Sequence, residues 1–156
     1  CKAMGTKLDV LGPQTGGEPR EYIQAVLREC DGDQIVYYPS VSAETKRTLF
    51  RRSRALIYPV SYSYGQGEAH SHKMAEAEVN GLPCIAYDQG AVREVIKEGV
   101  TGYVVDGPQE MAAAMKRVDG IDRAKCRAEA CERWSVAAAM GRWLPVIRDV
   151  AKGERW

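Results

Sequence analysis

Between residues 55 and 87 the chain reads strand, loop, helix, strand, and that unit leaves few folds open. Ala55-Leu56-Ile57-Tyr58 is a short apolar run, followed by a loop from Pro59 to Gly67 rich in Ser, Tyr and Gly. Helix-compatible residues then extend from Ser71 to Asn80. Asn80-Gly81 ends them, Pro83 prevents a return to helix, and Cys84-Ile85-Ala86-Tyr87 is the next buried strand.

The same alternation runs through the rest of the chain. Strands are expected at Thr6 to Leu11, Gln34 to Tyr38 and Gly102 to Val105, with Gly99 and Gly102 serving the turn into the last of these. Helices are expected at Pro19 to Cys30, from a Ser42 cap to about Ser53, at Ala91 to Lys97, Pro108 to Val118, Ile121 to Trp134, and Ser135 to about Val150. Strands alternating with helices predict an α/β, Rossmann-like three-layer α/β/α arrangement, its parallel sheet of about five strands covered on both faces. The 156 residues fit a single domain, 1–156.

Two carboxylates mark the central unit, Glu68 in the loop and Glu76 about two turns into the helix. Glu68 falls near the helix N-terminus, where unpaired backbone N–H groups and the helix dipole favour an anion. Backbone amides that hold a diphosphate, beside carboxylates that accept from neighbouring hydroxyls, suit a sugar nucleotide. Spacing alone also fits a solvated helix face, since surface Glu is common.

Taken with Gly81-x-Pro83, Gly90-x-x-x-Glu94-Val95 and Gly99-x-Thr101-Gly102, the stretch resembles the C-terminal donor-binding domain of GT-B glycosyltransferases, particularly the retaining family numbered four. The resemblance extends from about Lys7 to Arg148. KLDVLGP looks like the family's second strand, and QIVYYPSVSAETKRTLFRRSRALIYP like its third strand, a helix and the fourth strand. DRAKCRAEACERWSVAAAM is similar to the segment holding an Arg-rich helix, an aromatic and a Ser that caps the last helix. The family's first strand, with its Gly-Arg loop, and its whole N-terminal acceptor domain have no counterpart, so the chain is expected to be half an enzyme at most. Without that strand, closing the gap gives the order 2-1-3-4-5, a flavodoxin-like arrangement. The alternative is a gap filled by another chain or by sequence outside these residues.

The resemblance implies a role for each site residue. Glu68 would contact the transferred sugar, as the catalytic carboxylate, and Glu76 would bind the ribose hydroxyls. His70, Ser71, His72 and Lys73 stand where the family has an aromatic, a Gly and two apolar residues. The amides of Ser71, His72 and Lys73 are expected at the phosphates, with Lys73 and the two histidines replacing positive charge lost with the missing loop; the alternative for Lys73 is a plain solvent-facing lysine. Tyr38, Pro39 and Val41 would lie at the base. Tyr62 and Tyr64 either stack on a ligand or, as the preferred reading, cover the sheet edge. The donor is expected to be a UDP-sugar, with a GDP-sugar second, and no cofactor is implied.

Other features read as structural. The His70-x-His72 pair lacks a third ligand apart from Glu68, so no metal site is assigned. Asp31-Gly32-Asp33 spells a DxD pattern, but it follows a helix and contains Gly, which predicts a turn. The basic run Lys46, Arg47, Arg51, Arg52, Arg54 reads as a solvated helix face. Met140, Trp143, Leu144 and Ile147 recur at helical spacing and predict packing, or partial exposure if no partner surface is present. Five cysteines with no CxxC pair point to a reducing, cytoplasmic setting. No apolar run reaches the ~20 residues of a membrane span. A net charge of +1 gives no pull toward nucleic acid.

The expected function is therefore nucleotide-sugar binding for retaining hexosyl transfer, inactive in isolation and completed by a separate acceptor-binding chain or a second copy. The rival is a non-catalytic nucleotide-sugar-binding or protein-interaction module descended from such an enzyme. A receiver-type domain of the same strand order lacks the acidic cluster it needs at the end of the first strand.

Overall fold

Apolar runs separated by helical periods become five short strands among the described residues, 1–12, 20–60 and 71–153, of the computed structural model, each parallel to its ladder partners. The chain divides into two units, Cys1–Leu49 and Phe50–Trp156. In the first, a 3-10 turn at Lys2–Met4 precedes β1 (Leu8–Leu11), α1 (Arg20–Glu29) and β2 (Ile35–Tyr38). β1 and β2 pair in parallel, from Leu8 opposite Ile35 to Leu11 opposite Tyr38. The turn before β2 is built by Asp31, whose carboxylate accepts from the amides of Asp33, Gln34 and Ile35 at 3.0, 2.8 and 2.9 Å. Those amides hold the Asp31 carboxyl below its ordinary range, led by the bond from Ile35. The DxD pattern is thus the turn that was expected.

Helix α2 (Ala43–Arg52) starts where Ser42 caps it, the Ser42 hydroxyl accepting from the Thr45 amide at 3.1 Å. Leu49 and Phe50 are its buried residues, while Arg47, Arg51 and Arg52 are exposed, so the basic run does lie on an outer face. Arg54, just beyond, pairs with Asp119 at 2.8 Å.

The second unit holds β3 (Leu56–Tyr58), α3 (His72–Val79), β4 (Cys84–Tyr87), α4 (Val92–Val95), β5 (Gly102–Val105), α5 (Pro108–Arg117), α6 (Arg123–Trp134) and α7 (Val136–Ala151). Its sheet runs β3-β4-β5, all parallel. β4 is central, and Cys84, Ile85 and Ala86 are fully buried. The two-residue period of a strand sends Cys84 and Ala86 into a cluster with Tyr58, Met74, Ala77, Val92 and Val95. Ile85 enters a second cluster with Val105, Met111, Ala114, Val118 and Ile121. Helices therefore cover both faces of this sheet, and burying a side chain such as Ile85 contributes about 1.5–3 kcal/mol.

Gly102 is required by β4. A Cβ there would lie 1.9 Å from the Cys84 carbonyl oxygen, its ladder neighbour, a distance no side chain tolerates.

The order 2-1-3-4-5, expected if the family's first strand is not replaced, is met within two sheets and not across them. Its two parts, 2-1 and 3-4-5, are formed, but no ladder joins β1 to β3 among the described residues. The resemblance puts a further strand between these two.

Candidate functional site

Helix α3 begins abruptly and ends abruptly, and both ends are set by local chemistry. At its start Ser71 is extended (φ −88°, ψ 103°) and caps no amide. The first helical bond runs from the Ala75 amide to the Ser71 carbonyl at 3.3 Å, so the amides ahead of Ala75 have no carbonyl acceptor within the helix. Ser71 is 1 % exposed and its hydroxyl has no hydrogen-bond partner. Leaving such a group unsatisfied costs about 1–3 kcal/mol. At the other end Gly81 adopts φ 70°, its amide bonding to the Glu78 carbonyl at 2.8 Å while the Leu82 amide reaches Ala77 at 2.9 Å. That paired pattern is a Schellman stop. A Cβ on Gly81 would meet the Arg123 carbonyl at 2.8 Å.

One face of α3 presents three of the residues expected at the site. His72, Lys73 and Glu76 are exposed, with Glu76 one turn beyond His72 and Lys73. The Lys73 ammonium lies 5.7 Å from the centre of the Tyr58 ring, a cation–π contact that anchors the side chain beside the helix start. Ser71, His72, Lys73 and Glu76 are thus brought together on the first turns of one helix. Glu68 and His70, with Tyr62 and Tyr64, lie outside the described residues. Tyr38, Pro39 and Val41 belong to the first unit, where Tyr38 ends β2 half-buried, Pro39 is exposed and Val41 is half-buried.

The other face of α3 holds what sequence reasoning passed over. Met74, Ala77 and Glu78 are buried there, at i, i+3 and i+4, so the helical period alone would have found Glu78. Its carboxylate is fully buried; Oε2 accepts from the Trp134 indole N–H at 3.4 Å, and Oε1 has no partner. Burial pushes the Glu78 carboxyl up to about 7, against the opposing pull of the Thr101 hydroxyl and the Trp134 indole. Two buried thiols share this interior. Burial raises Cys84 well above the ordinary thiol range and Cys126 to about 12, with the Glu78 charge adding to both.

The Arg-rich helix implied by the resemblance is a scaffold for these elements. Arg123 donates to the carbonyls of Gly81, Ser53 and Phe50 at 2.8, 2.7 and 3.0 Å, and Arg127 donates to Val79 at 2.5 Å. Arg133 donates to Val95 at 2.7 Å and to Glu94. Each guanidinium thus sits near carbonyls left over at the C-terminal end of α2, α3 or α4, where cations are favoured. The expected serine cap is also present: Ser135 accepts from the Ala138 amide at 3.2 Å to start α7. Trp143 and Ile147 on that helix are more than half exposed, and none of its residues is buried. All five cysteines are free. Among the described residues no helix is long and apolar enough to cross a membrane.

Comparison with known proteins bears on the family and the fold. The family described as "Glycosyl transferases group 1" matches residues 3–139. A D-inositol 3-phosphate glycosyltransferase from Streptomyces griseus subsp. griseus is 29 % identical over 134 residues, covering 83 % of this chain and 26 % of the relative. Among solved structures, AviGT4, a glycosyltransferase involved in avilamycin A biosynthesis, superposes with a TM-score of 0.81 at 22 % identity, over 99 % of this chain and 47 % of that one. The apo form of the lipopolysaccharide outer core galactosyltransferase WaaB superposes with a TM-score of 0.66 at 20 % identity, over 90 % of this chain and 40 % of that one. The chain therefore spans about a quarter of the curated relative it matches and less than half of either solved chain. With the family match running through both units, this chain belongs to the group 1 glycosyltransferases and carries their GT-B type of α/β fold.

Proposed function

We propose that this chain binds the sugar nucleotide of a retaining, metal-independent hexosyl transfer, with the diphosphate at the start of α3. The observation that carries this reading is the buried Ser71 hydroxyl, which has no protein partner at a helix N-terminus whose first amides have no helical acceptor. An anion accepting from those amides, and from Ser71 after a small shift of its surroundings, supplies an acceptor that the helix itself does not. Lys73, held beside the helix start by Tyr58, supplies positive charge to the departing diphosphate. Glu76, exposed one turn further along, accepts from the ribose hydroxyls. Glu68 is assigned to the transferred sugar by the family resemblance alone.

A UDP-sugar is the proposed donor and a GDP-sugar the second choice. The proposed setting is cytoplasmic, supported by the five unpaired thiols. The chain covers a minority of its relatives' length, and transfer itself is proposed to need an acceptor-binding region besides these residues, in the same protein, in another chain or in a second copy.

Calorimetric titration with UDP, GDP, ADP and UDP-glucose tests the reading. Saturable binding of one nucleotide is expected, with Lys73→Ala and Glu76→Ala each weakening it about tenfold, the worth of one charge-assisted hydrogen bond. A folded chain that binds none of the four would transfer the lead to the protein-interaction reading.

A further inference from the structure

The sheet of the second unit ends at β5, and the residues of that strand offer nothing of their own to keep another strand away. Gly102-Tyr103-Val104-Val105 holds no charge and no proline, and Tyr and Val favour extended pairing. Among the described residues no strand lies beyond it. The ladder to β4 uses every second residue: the Thr101 carbonyl accepts from the Cys84 amide at 2.9 Å, and the Val105 carbonyl from the Asp88 amide at 3.0 Å. By the alternation of an extended chain, Gly102, Val104 and Asp106 turn their backbone groups outward.

Those outward groups are met one after another. The Gly102 carbonyl accepts from the Gly99 amide at 2.9 Å, within the turn that enters the strand. The Val104 amide donates to Glu98 Oε2 at 3.0 Å, and the Asp106 amide donates to Glu110 Oε2 at 3.0 Å. Glu98 precedes the strand and Glu110 lies in the first turn of α5, so the edge is clasped from both ends. The Glu110 bond alone is the kind by which a first-turn carboxylate steadies a helix start. Glu98 lies in no helix, so its reach to mid-strand Val104 has no such use.

We propose that Glu98, with Glu110 beside it, closes the outer edge of β5 to strand addition, and that the strand it excludes is β5 of a second copy of this chain. Two edges related by a two-fold axis meet as identical surfaces, so each copy would bring the same pair of exposed carboxylates to the seam. Like charges set opposite each other oppose pairing. The outward N–H groups of Val104 and Asp106 are also satisfied already, so an arriving carbonyl gains only by displacing a charged acceptor. Without the two carboxylates, the strand would present free donors on an apolar edge, the combination that recruits another strand.

The test compares the unsubstituted chain with one carrying Glu98→Ala and Glu110→Ala, by sedimentation velocity and amide hydrogen exchange over a range of protein concentrations. The exposed side chains of α7 are common to both, so the difference between the two chains is what is read. The double variant is expected to gain a concentration-dependent dimer. Its Val104 amide should exchange about tenfold faster than in the unsubstituted chain when dilute, the worth of one charge-assisted hydrogen bond, and slow again as the dimer forms. In the unsubstituted chain the Val104 amide nitrogen should show scalar coupling to the Glu98 carboxyl carbon, a readout independent of how any variant folds. A folded double variant that sediments like the unsubstituted chain at every concentration would overturn the proposal. So would a dimer that leaves the Val104 amide unprotected, or a Val104 amide in the unsubstituted chain that is uncoupled to Glu98 and exchanges as fast as in an unfolded peptide.

Discussion

Glu76 and Glu78 stand two positions apart on one eight-residue helix, and the fold treats them in opposite ways. Glu76 faces out with His72 and Lys73, at the end of the helix turn that the donor reading assigns to a ligand. Glu78 points into the interior with Met74 and Ala77, against Trp134, where burial raises its carboxyl to about 7. A step of two residues turns a helix by more than half a revolution, so identical chemistry meets water in one case and a core in the other. Helical phase, more than residue type, separates what this helix exposes to solvent from what it gives to the fold.

The largest effect should come from a charge that Glu78's site cannot neutralise by gaining a proton. Glu78→Lys is expected to lose about 3–4 kcal/mol in urea unfolding, as a buried charge without a partner does. Glu76→Lys should change stability by no more than about 0.5 kcal/mol. Equal losses at the two positions would erase the distinction.

Next is the dependence on pH. The folded-state value for Glu78, about 7, lies above the 4.5 of an ordinary Glu, so the folded chain holds the extra proton. Stability is then greatest below 4.5, falls as pH rises between the two values, and levels off above 7. Denaturant unfolding should register a loss from this group of about 2–3 kcal/mol between mildly acidic and mildly alkaline pH. Glu78→Gln should remove that component of the slope, and Glu76→Gln should leave it intact.

A smaller effect is expected where α3 is stopped. Gly81→Ala forces an L side chain to φ 70° and sets its Cβ 2.8 Å from the Arg123 carbonyl. The cost should be about 1–3 kcal/mol, read from the shift in the urea midpoint. Amide exchange should then rise first at Val79 to Leu82, the residues whose phase keeps the two faces apart.

Much of this architecture was legible because it is written in local chemistry. The Ser42 and Ser135 caps, the Asn80-Gly81 stop and the Asp31 turn each satisfy backbone groups within a few residues of themselves, so a linear reading finds them. The absence of a ladder between β1 and β3 among the described residues was not legible. A ladder depends on which edges meet and in what register, and neither strand's own residues state that. On α3, Ser71 stood out as a departure from the family's Gly, and the structure adds that its hydroxyl is buried and unpartnered. Glu78 was hidden for another reason. Its spacing from Met74 and Ala77 marks a buried position, but a carboxylate reads as surface until that spacing is given priority. The guanidinium contacts of Arg123 link residues more than 40 positions apart to α6, beyond the reach of any local pattern.

The most direct test of the two-faced helix is nitrogen-15 amide shift mapping of the chain during titration with UDP-glucose. The account predicts saturable shifts concentrated at Ser71, His72, Lys73 and Glu76, with the Trp134 indole resonance unmoved at constant pH. Shifts absent from the start of α3, or centred on Trp134 and its neighbours in α6, would contradict it.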